Sequence, residues 1–87
     1  MVILMTAITV SSLRQHTPVP GIKEIVLKTS SAAATGHTFD ATGYFTTIWG
    51  VYISDSTGVV KTATFSGLTV TLGTISTGVH VLRIWGV

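Results

Sequence analysis

Leu68, Val70 and Leu72 alternate with Thr69 and Thr71. That period of two marks a strand with one buried face and one wet face. Residues 22–29 alternate as well. Ile22, Glu24, Val26 and Lys28 share one side of the pleat, and Lys23, Ile25, Leu27 and Thr29 share the other. Charges on both sides predict a strand with a wet edge. The same reading predicts strands over residues 1–10, 48–54, 59–65 and 79–85, and a short strand or turn at His37-Thr38-Phe39-Asp40, ended by Gly43. No stretch repeats apolar residues at helical spacing. Threonine and valine, both β-branched and suited to a pleated surface, dominate instead.

Turn chemistry separates these runs. In Asp55-Ser56-Thr57-Gly58 the aspartate can bond its own backbone and the glycine can take a positive φ. Ser66-Gly67 is a two-residue hairpin signal between Phe65 and Leu68. Residues 30–36 read as a loop of small residues, and 73–78 as a second turn region. Residues 11–21 do not read as a strand. Pro18-Val19-Pro20-Gly21 fixes φ twice and removes two donors, which favours an extended arm or linker. The domain division is therefore an N-terminal strand and proline-containing arm over 1–21, followed by a compact β domain over 22–87.

Two tetrapeptides echo each other: Ile48-Trp49-Gly50-Val51 and Ile84-Trp85-Gly86-Val87. Thr57-Gly58-Val59 likewise returns as Thr77-Gly78-Val79. The order of the two motifs is reversed between copies, so this is not a tandem duplication. The simpler reading is one solution to one strand-packing problem, used twice.

Seven or eight short strands with tight turns give an all-β fold, a small antiparallel β-sandwich or barrel with an extended N-terminal arm. A domain of about 60 residues buries only about 60% of the surface its unfolded chain exposes. Cysteine is absent, so no disulfide compensates. Five Lys/Arg and three Asp/Glu are the only formal charges, and the mean hydropathy is +0.63. So apolar an exterior predicts a homo-oligomer whose interfaces cover it. The apolar start Met1-Val2-Ile3-Leu4-Met5 lacks the positive flank of a signal peptide and reads as a first strand. On its stiff tether it can pair with a neighbouring subunit's sheet edge. Val2, Ile3, Leu4, Trp49 and Trp85 are the candidate interface residues.

Charge also bears on partners. Arg14, Lys23, Lys28, Lys61 and Arg83 are scattered along the chain, with no run to track a phosphate backbone, so no nucleic-acid partner is expected. No apolar run approaches bilayer length, so no membrane partner is expected either.

Candidate chemistry is sparse. His37 and Asp40 sit three residues apart, but a metal or acid–base role needs His16, His80 or Asp55 as well, and their spacing matches no ligand motif. No metal or cofactor is expected. Glu24, Asp40 and Asp55 are the only carboxylates. Glu24 belongs to a strand pattern and Asp55 to a turn, so a glycosidase pair is not indicated. No serine occupies a nucleophile elbow, and no Gly-Lys-Ser/Thr follows Thr35-Gly36 or Thr42-Gly43. An enzyme is not expected. Trp49, Trp85, Tyr44 and Tyr52 are either a sugar-stacking platform or core and interface packing, and the latter is favoured. Gly50 and Gly86 beside the tryptophans let a ring lie across the backbone.

The run from Ile48-Trp49-Gly50-Val51-Tyr52-Ile53-Ser54-Asp55 through Thr57-Gly58-Val59-Val60-Lys61-Thr62-Ala63-Thr64-Phe65 to Leu72-Gly73-Thr74-Ile75-Ser76-Thr77-Gly78-Val79-His80 resembles small all-β virion structural proteins of tailed phages. Residues 23–29 and Thr35-Gly36-His37-Thr38-Phe39-Asp40 fit the same pattern. The resemblance implies a capsid decoration or cement protein, commonly a homotrimer, that binds the major capsid protein between capsomers on the virion surface. It carries no catalytic or binding residue onto this chain. The alternative from another class is a carbohydrate-binding module of a phage tail or fibre.

Overall fold

A computed structural model describes residues 6–87. Within them lie seven strands: β1 (Val10–Val19), β2 (Ile22–Thr29), β3 (Thr38–Asp40), β4 (Ile48–Asp55), β5 (Ala63–Ser66), β6 (Thr69–Leu72) and β7 (His80–Gly86). They form two antiparallel sheets, one ordered β1-β2-β7-β4 and the other β3-β6-β5. No helix occurs among the described residues. The all-β sandwich expected from the alternation is present.

The core lies between the sheets. Ile25 and Leu27 of β2, Ile53 of β4, and Leu82 and Ile84 of β7 meet Val70 and Leu72 of β6, all essentially without solvent contact. Phe39 and Phe45 close one side. In β6 these are the apolar half of the alternating pattern, whereas in β2 both halves carry charge and the core half is the one with Ile25 and Leu27. Burying one such side chain contributes about 1.5–3 kcal/mol.

Three expectations are corrected. Residues 11–21 are no linker: β1 is a ten-residue strand paired with β2 from Val10↔Thr29 to Val19↔Ile22. Both prolines sit where a sheet tolerates them. Pro18 lies in the register shift between His16 and Val19, on an edge strand. Pro20 and Gly21 are the central residues of the β1–β2 hairpin, and Gly21 takes φ +84°, the geometry of a type II turn. Second, β2 has no wet edge, because β1 and β7 bond it on both sides. Glu24 and Lys28 are tolerated because their face of the sheet looks outward, and Lys23, on the side of Ile25 and Leu27, is exposed next to the hairpin at the start of the strand. Third, the strand expected over 59–65 shortens to β5. Before it, Val60 makes only an isolated bridge to Ser54, and the Lys61 amide donates to the Ile53 carbonyl at 2.9 Å.

The turn expected at Ser66-Gly67 forms one residue further along. Ser66 pairs with Thr69, so Gly67 and Leu68 turn the chain. Gly67 has φ +58°, and among the described residues no non-glycine residue has a positive φ, as in a type II′ turn.

Of the strand expected over 1–10, the first five residues lie outside the described ones, and with them the candidate interface residues Val2, Ile3 and Leu4. The segment just after them holds to its own chain. The Ile8 amide donates to the Thr38 carbonyl at 2.7 Å, and the Thr38 amide to the Thr6 carbonyl at 2.9 Å. Ala7 thereby forms a parallel bridge to β3, and the chain crosses at Thr9 to join the other sheet as β1.

Candidate functional site

The outer face of the four-stranded sheet carries side chains that packing does not explain. Three cross-strand rows follow from the register. His16 of β1, Glu24 of β2, Trp85 of β7 and Gly50 of β4 form one row. Arg14, Val26, Arg83 and Tyr52 form the next, and Ser12, Lys28, Val81 and Ser54 the third. Residues directly opposite in antiparallel strands share a face. The neighbours that alternate with them, Ile25, Leu27, Ile53, Leu82 and Ile84, point into the core.

Glu24, Tyr52, Ser54, Arg83 and Trp85 line an open concavity of about 640 Å³ on this face, together with Val81 and with Gly58 of the Asp55 turn. Its floor depends on one glycine. A Cβ built on Gly50 would fall within the Trp85 indole, so the ring occupies the space above the Gly50 backbone. The expectation that a glycine lets a tryptophan lie across the chain therefore holds, but with partners crossed between the two tetrapeptides. Gly86 serves another purpose. A Cβ there would run into the Thr47 carbonyl, so its absence lets the backbone of residue 47 approach.

The two tetrapeptides are neighbours on adjacent strands. Gly50 pairs with Trp85 and Val51 with Ile84, while Ile48 pairs with Gly86. The register shift between Ile48 and Gly50 leaves Trp49 without a partner, and its side chain is 51% exposed. One solution used twice is thus not what the echo encodes. The copies face each other and their tryptophans end in different surroundings.

The four aromatic candidates separate. Trp85 and Tyr52 share the concavity. Tyr44 packs on Phe39, ring centres 6.1 Å apart, against the core. Trp49 stands alone at its bulge.

The acid–base candidates separate too. His16 Nε2 lies 2.8 Å from Glu24 Oε1 on the outer face. His37 Nδ1 accepts the Ala34 amide at 3.3 Å in the loop before β3. His80 is 2% exposed; its amide donates to Thr29 Oγ1 and its Nδ1 lies 2.9 Å from the Gly78 carbonyl. Among the described residues, His80 Nε2 is buried with no hydrogen-bond partner. Asp40 accepts the Thr42 amide at 2.9 Å, and Thr42, through hydroxyl and then amide, holds its carboxyl below the usual value. Asp55 accepts the Thr57 hydroxyl at 2.7 Å and the amides of Thr57 and Val59. The Thr57 hydroxyl first, then the Val59 amide, holds that carboxyl below its usual value. Among the described residues no three His, Asp or Glu side chains gather as metal ligands. Both aspartates are occupied as turn caps, the role that the Asp55-Ser56-Thr57-Gly58 pattern predicts for the second of them.

Sequence reasoning missed the gathering of charge. Arg14, Lys28 and Arg83 are far apart in the chain but occupy one face. The alternation Leu82-Arg83-Ile84-Trp85 carried part of the signal. Arg14 lies in a segment whose prolines suggest a linker, which hid the rest. Comparison with family models, curated proteins and solved structures found no match to this chain.

Proposed function

We propose that the chain is a virion structural protein, a capsid decoration or cement protein that acts by covering surface at joints of the shell. The observation that carries this reading is the exposed apolar complement at the sheet edges. Val59 and Val60 are 52% and 58% exposed in the segment joining β4 to β5, and Phe65 is 40% exposed on the edge strand β5. Val19 and Trp49 add to it at two further edges. Apolar side chains left at edges gain free energy when a partner covers them, about 25 cal/mol per Å². The resemblance of the 22–87 body to small phage virion proteins supports the same reading. Self-association comes first, with a trimer as the expected state, and the major capsid protein is the second partner.

Light scattering on the purified chain, followed by co-sedimentation with expanded phage capsids, tests this. A trimer that co-sediments supports it. The V59S/V60S variant is expected to weaken association. A monomer that leaves capsids uncoated refutes it.

A second reading has its own observation. Trp85 and Tyr52 share an open concavity with Glu24 and Arg83. Aromatic faces flanked by planar hydrogen-bonding groups suit a sugar ring, as in a carbohydrate-binding module of a tail or fibre.

A further inference from the structure

The outer sheet face is charged out of proportion to the rest of the chain. Arg14, Lys28 and Arg83 point to it, against the single carboxylate of Glu24. The remaining cations, Lys23 and Lys61, are matched in number by Asp40 and Asp55. The formal net charge of +2 therefore resides on this one face. His16 stands on it too, joined to Glu24 at 2.8 Å.

The two arginines have a defined relation. Both Arg14 and Arg83 pair with Val26, one from each side. Their backbones are two strand spacings apart, about 10 Å. Arg83 borders the concavity that holds Trp85 and Tyr52. Tyr52 is directly opposite Arg83, and Trp85 directly opposite Glu24.

We propose that this face binds a carboxylated glycan, a sugar acid of the uronate or sialate class. The inference rests on the carbohydrate reading and specifies its ligand. Trp85 and Tyr52 supply apolar surface for the carbon face of a ring. Glu24 accepts from ring hydroxyls. Arg83 forms a two-pronged, charge-assisted pair with the carboxylate, and Arg14 meets an acid on the next ring. A single-stranded nucleic acid fits less well, because Arg14, Lys28 and Arg83 are spread over two rows and do not line up to track a phosphate backbone.

The probes are oligogalacturonate and the same oligomer fully methyl-esterified, with oligouridylate as the third ligand. Binding is followed by calorimetry and by amide chemical shifts on the labelled full chain. The expected result is binding of the acid form at least about tenfold tighter than the ester. Shifts are expected on β2, β4 and β7, with affinity falling as salt rises. R83Q, an exposed position outside the core, is expected to lose about tenfold for the acid and little for the ester. Equal binding of acid and ester overturns the acid specificity and leaves the glycan reading standing, and R83Q binding the acid like the parent overturns the assignment of the carboxylate to Arg83. No binding of either saccharide overturns both, and tighter binding of oligouridylate overturns both in favour of a nucleic-acid surface.

Discussion

Gly86 and Gly50 stand in matching tetrapeptides, yet alanine at the two positions has unequal consequences. A Cβ on Gly86 meets the Thr47 carbonyl, and the Cα of Ile48 at 3.0 Å. That segment cannot yield. The Thr46 and Thr47 amides donate to the Val87 carbonyl at 2.6 and 3.1 Å, and the Val87 amide donates to the Thr47 carbonyl at 3.0 Å. Making room separates the two segments. It disrupts two or three hydrogen bonds at about 1 kcal/mol each and exposes part of Ile48, itself buried in the core. The expected cost of G86A is about 3–4 kcal/mol. The atoms nearest to a Cβ on Gly50 all belong to the Trp85 ring, which sits on the outer face and can swing toward water. Ala is also the better strand residue by about 0.5–1 kcal/mol. G50A therefore costs about 1–2 kcal/mol. Urea unfolding of both variants gives the two costs. In a Trp49→Phe background Trp85 is the sole indole, and its emission is expected to shift red in G50A and stay put in folded G86A. Equal unfolding midpoints, or G86A within about 1 kcal/mol of the parent, would refute the distinction between a rigid and a movable neighbour.

Other outcomes follow from the core and the caps. L82A, at a site without solvent contact, is expected to lose about 2–5 kcal/mol, measured as a drop in urea midpoint at unchanged m-value. H80L removes a buried ring nitrogen that has no partner among the described residues and gives up the contact to the Gly78 carbonyl. Its melting temperature is expected to equal or exceed that of the parent, and a clear drop would show that the ring's polar contacts outweigh the cost of burying Nε2. Asp55 has its folded pKa held below that of a free aspartate, so its stabilising contribution is complete above the free value and is lost as pH falls through the folded one. D55N is expected to flatten the loss of stability with acid below the pKa of a free aspartate, and an unchanged acid limb would discount the cap.

The alternation of side chains was enough to find β2, β4, β6 and β7 and, in β6, to mark Val70 and Leu72 as the buried side, because a buried face demands apolar residues every second position; in β2 charges on both sides hid which face is the core. It failed at β1. There only Leu13 is partly buried on the core, so the strand has no apolar face to read, and Pro18 and Pro20 mimic a linker. Strand order was beyond the pattern. Nothing local to residues 80–86 says that they lie between β2 and β4. The candidate face depends on that order and on β1 together. Trp85 and Tyr52 were legible only as two of four candidate aromatics, with Trp49 and Tyr44. Their placement beside Arg83 and near Arg14 was not, since it arises from register between segments separated by most of the chain.

The position of β7 has a kinetic meaning. β2 and β4 meet only through β7, so the four-stranded sheet cannot close before residues 80–86 are in place. Until then the β1–β2 hairpin and β4 each present an open hydrogen-bonding edge lined by Ile25, Leu27 and Ile53. Pairings of this sequence separation carry a large loop-closure cost and slow the search for the native state. Insertion of residues 80–86 is then the late, committing event, and a nascent or clipped chain lacking them is the form most prone to pair with its neighbours.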